Sequence, residues 1–219
     1  MTTLNEDLRK IGRFIYESGM LQRTPRSGLW VLGTGNQSVA EHLLRTTYIG
    51  YALAYLTPAA NLEGVVLLCL FHDFAEGRTS DLNYIHQRYG RLAEATAMHD
   101  LAETVPFGHQ IEAYYTEEQA RETLEAKLTK DADQLEWIAT LREEEVKGNI
   151  KATAWITIGL KRLKTDVGRH VGQILRDLNP DDWWFNTDDQ WWVDRHPSKR
   201  DWQNSSKRTN KSSQKLPRT

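Results

Sequence analysis

LCLFHDFAEGRTSDL, residues 67–81, opens as an apolar run and ends in a cluster of ionisable groups. Leu67 to Phe71 should vanish into a core, yet the run delivers His72, Asp73 and Glu76 within about one and a half helical turns. Residues three and four apart share a helix face, so Glu76 stands one turn beyond both His72 and Asp73 and all three can address one point. An imidazole and two carboxylates are expensive to bury unpaired, and a divalent cation compensates that charge. The rival for these three residues alone is a polar helix end facing solvent.

Outward from this stretch the spacing is helical throughout. Leu4, Leu8, Ile11 and Ile15 recur at helical intervals, and glycine and proline punctuate the chain sparsely, so an all-α fold is expected. Ser38 followed by Glu41 is a capping box that starts a helix running to about Leu56, with His42 in its first turns. The next helix is expected from near Asn61 through VVLLCLFHDFAE to Gly77. Another is expected near 91–104. Thr116 with Gln119 reads as a second capping box, opening a long helix to Gly148 whose buried stripe is Leu124, Leu128, Leu135, Ile138 and Leu141. Residues 150–178 hold one or two more helices. RTPRSGLWVLGTGNQ, 23–37, is a connector, and its GTG lacks the third glycine and the βαβ context of a dinucleotide site.

Composition limits the function classes. The 219 residues carry 28 Lys and Arg against 30 Asp and Glu, a net charge of −2, so no global basic field favours nucleic acid or a membrane surface. No apolar run approaches the roughly 20 residues needed to span a bilayer. The N-terminal MTTLNEDLRK has no signal-peptide pattern, and the single cysteine, Cys69, reads as a small core hydrophobe. A reducing, cytoplasmic location is expected.

A metal needs more ligands than one helix offers. The polar residues that interrupt other apolar faces are His42 and Asp133, and with them in register the solvent-facing rival loses its force. Two His and two Asp leave positions open for water, which suits one divalent ion (Mn, Co, Fe, Ni, Mg, or Zn in an open site) better than a closed structural zinc site. His86, His99, His109, His170 and His196 fit no such set.

SVAEH at 38–42, FHDFAE at 71–76, DL at 81–82 and KDADQLE at 130–136 resemble the H…HD…D pattern of HD-domain metal-dependent phosphohydrolases, and within them the 5′-deoxynucleotidase branch, over residues 4–165. The resemblance implies an HD-domain helical bundle. It implies His42, His72, Asp73 and Asp133 as metal ligands and Glu76 as the acid or base that handles the attacking water. Asp81 falls where that branch places a residue near the nucleotide sugar, and Arg26 and Trp30 are counterparts of the Arg and Trp that hold phosphate and base. Arg23 competes with Arg26. Asp131 competes with Asp133, the two lying about 200° apart on a helix. The family pattern of an Asp before a polar residue and Leu selects Asp133.

The expected activity is phosphate removal from nucleoside 5′-monophosphates, deoxy forms preferred, by a homodimer without nucleic-acid or membrane partners. Two alternatives stand beside it: a deoxynucleoside triphosphohydrolase or phosphatase of another small phosphoester, and a metal-stabilised interaction module without turnover. Residues 1–180 form the expected catalytic domain. Five of the eight tryptophans fall in 183–202, so 181–202 is expected to pack on the domain as a Trp-rich extension, with 203–219 a disordered tail.

Overall fold

The computed structural model describes residues 3–189 and 191–194. Twelve helices appear among them: α1 Thr3–Ser18, α2 Gly28–Leu32, α3 Val39–Tyr55, α4 Leu62–Phe71, α5 Glu76–Thr79, α6 Tyr84–Tyr89, α7 Glu94–Ala102, α8 Gly108–Ala120, α9 Leu124–Val146, α10 Lys151–Arg162, α11 Asp166–Asp177 and α12 Trp191–Asp194. No strand forms among the described residues. One isolated antiparallel bridge joins Pro25 and Ser38. Nor is any described helix long and apolar enough to cross a membrane.

The chain divides into a unit of Met1–Leu178 and a unit of Asn179–Thr219. In the first, α9 is the central rod against which α3, α4, α10 and α11 pack. Leu128, Leu135, Ile138 and Leu141 on α9 are fully buried, and each such side chain contributes about 1.5–3 kcal/mol by leaving water. They share a cluster with Leu53 of α3 and Val65 and Cys69 of α4. A second cluster joins Val39 and Leu43 of α3 to Phe74, Met98, Leu101 and Ile111. The segments that carry His42 and His72 therefore belong to both clusters, which holds the two imidazoles rigidly. In the second unit, Trp184, Phe185, Trp191 and Trp192 pack on one another, with ring centroids 4.6–5.5 Å apart. Trp202 and the tail expected at 203–219 lie outside the described residues.

Local chemistry sets the helix ends. Ser38 Oγ accepts from Glu41 N at 3.2 Å while Ser38 N donates to Glu41 Oε2 at 2.6 Å, the reciprocal cap expected for α3. Asn61 Oδ1 caps α4 by accepting from Gly64 N. Cys69 is a core residue as expected: a Cβ at Gly50 would lie 2.4 Å from its Sγ, so glycine lets α3 and α4 approach there.

Three sequence expectations need correction. Helix α4 does not continue to Gly77 but stops at Phe71. From there the backbone tightens, Phe74 N donating to Phe71 O, Glu76 N to Asp73 O and Gly77 N to Phe74 O at 3.0–3.2 Å, a three-residue pattern that changes where successive side chains point. Thr116 does not cap a helix. It lies inside α8, where its hydroxyl donates back to Glu112 O. The break comes at Arg121, with φ of 56°, and Thr123 caps α9 by accepting from Ala126 N. The connector 23–37 also folds in part, into α2.

Asp131 is fully buried on the side of α9 away from His42. Its carboxylate accepts from Lys164 N, Thr165 N and Thr165 Oγ1 at 2.6–2.7 Å, closing the link between α10 and α11. Hydrogen bonds to a charged acceptor contribute about 1.5–3 kcal/mol each, and two backbone donors would be left without this acceptor. Asp131→Ala is expected to destabilise the fold by about 3–5 kcal/mol, read as a lower denaturant midpoint with metal content per folded molecule intact. A loss of metal from the folded variant would contradict this structural role.

Candidate metal centre and catalytic cavity

His42 and His72 are both held in a defined tautomer. His72 Nδ1 lies 2.9 Å from Cys69 O, a carbonyl that can only accept, so Nδ1 carries the proton and Nε2 presents a lone pair. His42 Nδ1 lies 2.7 Å from Glu136 Oε2 with the same consequence. Glu136 is itself fully buried and also accepts from Gln37 Nε2 at 2.7 Å and Arg45 Nε at 2.9 Å. The two free Nε2 atoms face each other across a small space and are buried without a hydrogen-bond partner. Asp133 completes a triad whose ligand atoms all lie within 4.8 Å of one another. Its Oδ1 is 3.3 Å from His42 Nε2. Asp73 Oδ2 lies 3.2 Å from His72 Nε2 and 3.5 Å from His42 Nε2. Orphaned imidazole lone pairs facing carboxylates fit a divalent cation.

The electrostatics of the metal-free site point the same way. Burial opposes the charged form of His42, as does Arg26, but Glu136, Asp133 and Asp73 outweigh both and hold its pKa well above the ordinary histidine value. Burial likewise opposes charging His72, and Asp73 overcomes it. Burial would raise Asp73 and Asp133, yet the imidazoles, and for Asp133 Lys130 with Nζ 2.6 Å from Oδ2, bring both well below the usual carboxylate range. Glu76 differs: burial, with Asp73 and Asp81 close by, pushes its carboxyl up to about 10. Its Oε2 is buried and unpartnered.

These shifts have a sign in stability. The raised imidazoles contribute to the metal-free fold fully below their unfolded value of about 6.5, and that contribution is lost as pH rises through their folded values. Glu76 acts in the same sense from about pH 4.5 upward. Metal requires neutral imidazoles, so the gain in Tm on adding Mn should grow from about pH 5 to pH 9 as protons cease to compete. Thermal melts with chelator and with Mn across that range check this. A gain independent of pH contradicts it.

Above these groups opens a cavity of about 490 Å³. Asp73, Glu76, Asp81 and Asp133 line it as acids, and Arg26, Arg121, Lys130, Arg162 and Lys164 supply five cations. Arg26 Nη1 lies 3.4 Å from Asp73 Oδ2 and its Nε 3.7 Å from Asp81 Oδ2. The connector that carries Arg26 is pinned to the Asp81 loop, Ser27 N donating to Asp81 Oδ2 at 3.0 Å and Ser27 Oγ to Asp81 O at 2.8 Å. Of the competitors, Arg23 is exposed and does not line the cavity.

Trp30 does not reach the site. It is 62% exposed on α2 and absent from the cavity wall, because Leu29 and Leu32 are the residues that α2 buries. The tryptophan that lines the cavity is Trp137, one turn after Asp133 on α9. Asn83, Tyr84 and Gln87 line it while His86 does not. Glu136 and Lys130 were also missed as functional residues, although both lie inside the quoted KDADQLE. Their spacing from Asp133, three residues on either side, was the signal available.

An all-helical bundle that converges two imidazoles and carboxylates beneath a cavity with five cations fits a metal-dependent hydrolase of phosphoesters. Residues 18–175 match the model of the HD domain, and the chain belongs to that family. It is similar to 5′-deoxynucleotidase HDDC2 of Danio rerio, 31% identical over 144 residues, which cover 62% of this chain and 70% of that one. It is also similar to 5′-deoxynucleotidase hdd1 of Schizosaccharomyces pombe, 27% identical over 59% of this chain and 69% of that one. Among solved structures, a conserved hypothetical protein of Pyrococcus furiosus superposes with a TM-score of 0.65 at 26% identity, covering 75% of this chain and 98% of that one. A predicted metal-dependent phosphohydrolase of Magnetospirillum magnetotacticum shares the fold, with a TM-score of 0.64 at 21% identity over 80% of this chain and 94% of that one. The chain is thus an HD-domain phosphohydrolase with a divalent metal cofactor.

Proposed function

We propose that this enzyme removes phosphate from nucleoside 5′-monophosphates, deoxy forms preferred. The observation that carries the reading is the convergence of His42 Nε2, His72 Nε2 and Asp133 within 4.8 Å at the base of a cavity with five cationic side chains. The relatives that are themselves 5′-deoxynucleotidases support the substrate class. His42, His72, Asp73 and Asp133 would hold the metal. When bound, such an ion polarises a phosphoryl oxygen and lowers the pKa of a coordinated water. Arg26, kept charged between Asp73 and Asp81, neutralises phosphate oxygens. Glu76 takes and passes on the proton of the attacking water, and Asp81 faces the sugar. A homodimer belongs to the same reading, supported by the exposed stripe Leu44, Tyr48, Tyr51 and Tyr55 on α3.

A panel of deoxy- and ribonucleoside mono- and triphosphates, crossed with metals on chelator-treated enzyme, tests this reading. Orthophosphate from the monophosphates, fastest from deoxy forms, is expected. The surplus of cations beyond Arg26 favours the triphosphohydrolase as second reading, and release of tripolyphosphate would select it instead.

A further inference from the structure

A second, smaller hollow of about 170 Å³ opens beside the catalytic cavity, bounded by Tyr84, Trp137, Trp155, Ile158, Gly159 and Arg162. Tyr84, Trp137 and Arg162 line both spaces, so the hollow adjoins the catalytic cavity. Nothing in the chemistry assigned so far uses it. We propose that this aromatic annex is the subsite that stacks the nucleobase of the substrate.

Its walls suit a flat, apolar, π-bearing group. Trp137 and Trp155 stand with ring centroids 6.2 Å apart at 46°, and Tyr84 meets Trp155 at 6.0 Å in an edge arrangement. Tyr84 is 42% exposed and Ile158 48%, so the corner is open on that side, while Trp137 is buried at its back. Arg162 fixes the rim: its Nη1 donates to Tyr84 Oη at 2.8 Å, and its guanidinium lies 4.9 Å from the Tyr84 ring centroid. That leaves a cation at the border between annex and cavity, where a sugar-phosphate meets its base.

The spacing also fits. Trp137 follows Asp133 by one turn of α9, about 6 Å along the axis, which is about the span of one sugar between phosphate and base. A nucleotide with its phosphate over His42, His72 and Asp133 can therefore direct its base to Trp137 and Trp155 while its sugar passes Asp81. Stacking on aromatic rings tolerates every base, so the annex recognises the presence of a base far more than its identity.

This inference rests on the nucleoside 5′-monophosphate reading, and one comparison separates the two. On the full-length, metal-loaded enzyme, kcat/KM is measured for dAMP and for 2-deoxyribose 5-phosphate, the same phosphoester without its base. The annex predicts a preference for dAMP of about 5- to 150-fold, the range that aromatic stacking supplies. Trp155→Leu should bring that ratio close to one, whereas Trp155→Phe should keep most of it. Tyr84→Ala, at a half-exposed position, should lower the ratio too and carries the test if Trp155→Leu does not fold. Equal use of both compounds by the wild type, or an unchanged ratio in folded Trp155→Leu or Tyr84→Ala, overturns the annex while the phosphatase stands. Release of phosphate from neither compound overturns the function on which it rests.

Discussion

Glu76→Gln is expected to lower turnover by about 10²- to 10⁴-fold while metal content and substrate affinity survive. The carboxyl is buried beside the cavity with an unpartnered Oε2, raised to about 10 by burial and by Asp73 and Asp81. Burial is the largest cause of that rise, and a cation next to these acids would offset the part that Asp73 and Asp81 add, bringing the group closer to exchanging a proton in the working site. Glutamine keeps the shape of Glu76 and most of its hydrogen-bonding capacity but cannot accept a proton. Binding and chemistry should therefore separate. Metal analysis, substrate affinity and kcat on one preparation check this. Loss of metal would make Glu76 a ligand, and full turnover would place the proton relay elsewhere.

Asp133→Ala should behave in the opposite way, losing metal and turnover together. Asp133 Oδ1 sits 3.3 Å from His42 Nε2 and belongs to the triad. Replacing a partner that merely orients a ligand costs about 10- to 100-fold in metal affinity, so removing the ligand itself should cost at least the upper figure. The substitution also frees Lys130, whose ammonium Asp133 holds at 2.6 Å, to sit uncompensated near the site. Metal affinity by competition with a chromophoric chelator, beside phosphate release, gives the result. Full occupancy with full turnover in Asp133→Ala would show that the triad is misassigned. The contrast with Asp131→Ala, expected to weaken the fold and spare the metal, separates two acids only two positions apart.

Much of this arrangement is legible in the sequence. The Ser38–Glu41 box announced the start of α3 because both partners of that cap lie within one turn. The stripe Leu128, Leu135, Ile138 and Leu141 announced α9, since helical periodicity is a local property. His42, His72, Asp73 and Asp133 were legible because each interrupts an apolar face. Asp131 interrupts the opposite side of α9, and the sequence alone does not show that Lys164 and Thr165 satisfy it. Glu136 was hidden for a similar reason: what gives it a role is His42, 94 positions away in the chain. Trp30 shows the converse error. A tryptophan close in sequence to an Arg expected to meet phosphate suggests a base platform, but α2 turns it outward, and Trp137 and Tyr84, from separate segments, line the cavity instead. The Thr116 expectation failed because a capping-box pattern is equally compatible with a hydroxyl bonded back to the preceding turn.

The most direct test of the central claim is a titration of chelator-treated, full-length enzyme with Mn or Co, in which orthophosphate release from dAMP and bound metal are measured in the same samples. One bound ion per active site is expected, with release absent from the stripped protein and rising in proportion to occupancy. Release that persists without metal, or none from dAMP at full occupancy, would contradict a metal-dependent phosphatase of deoxynucleoside 5′-monophosphates.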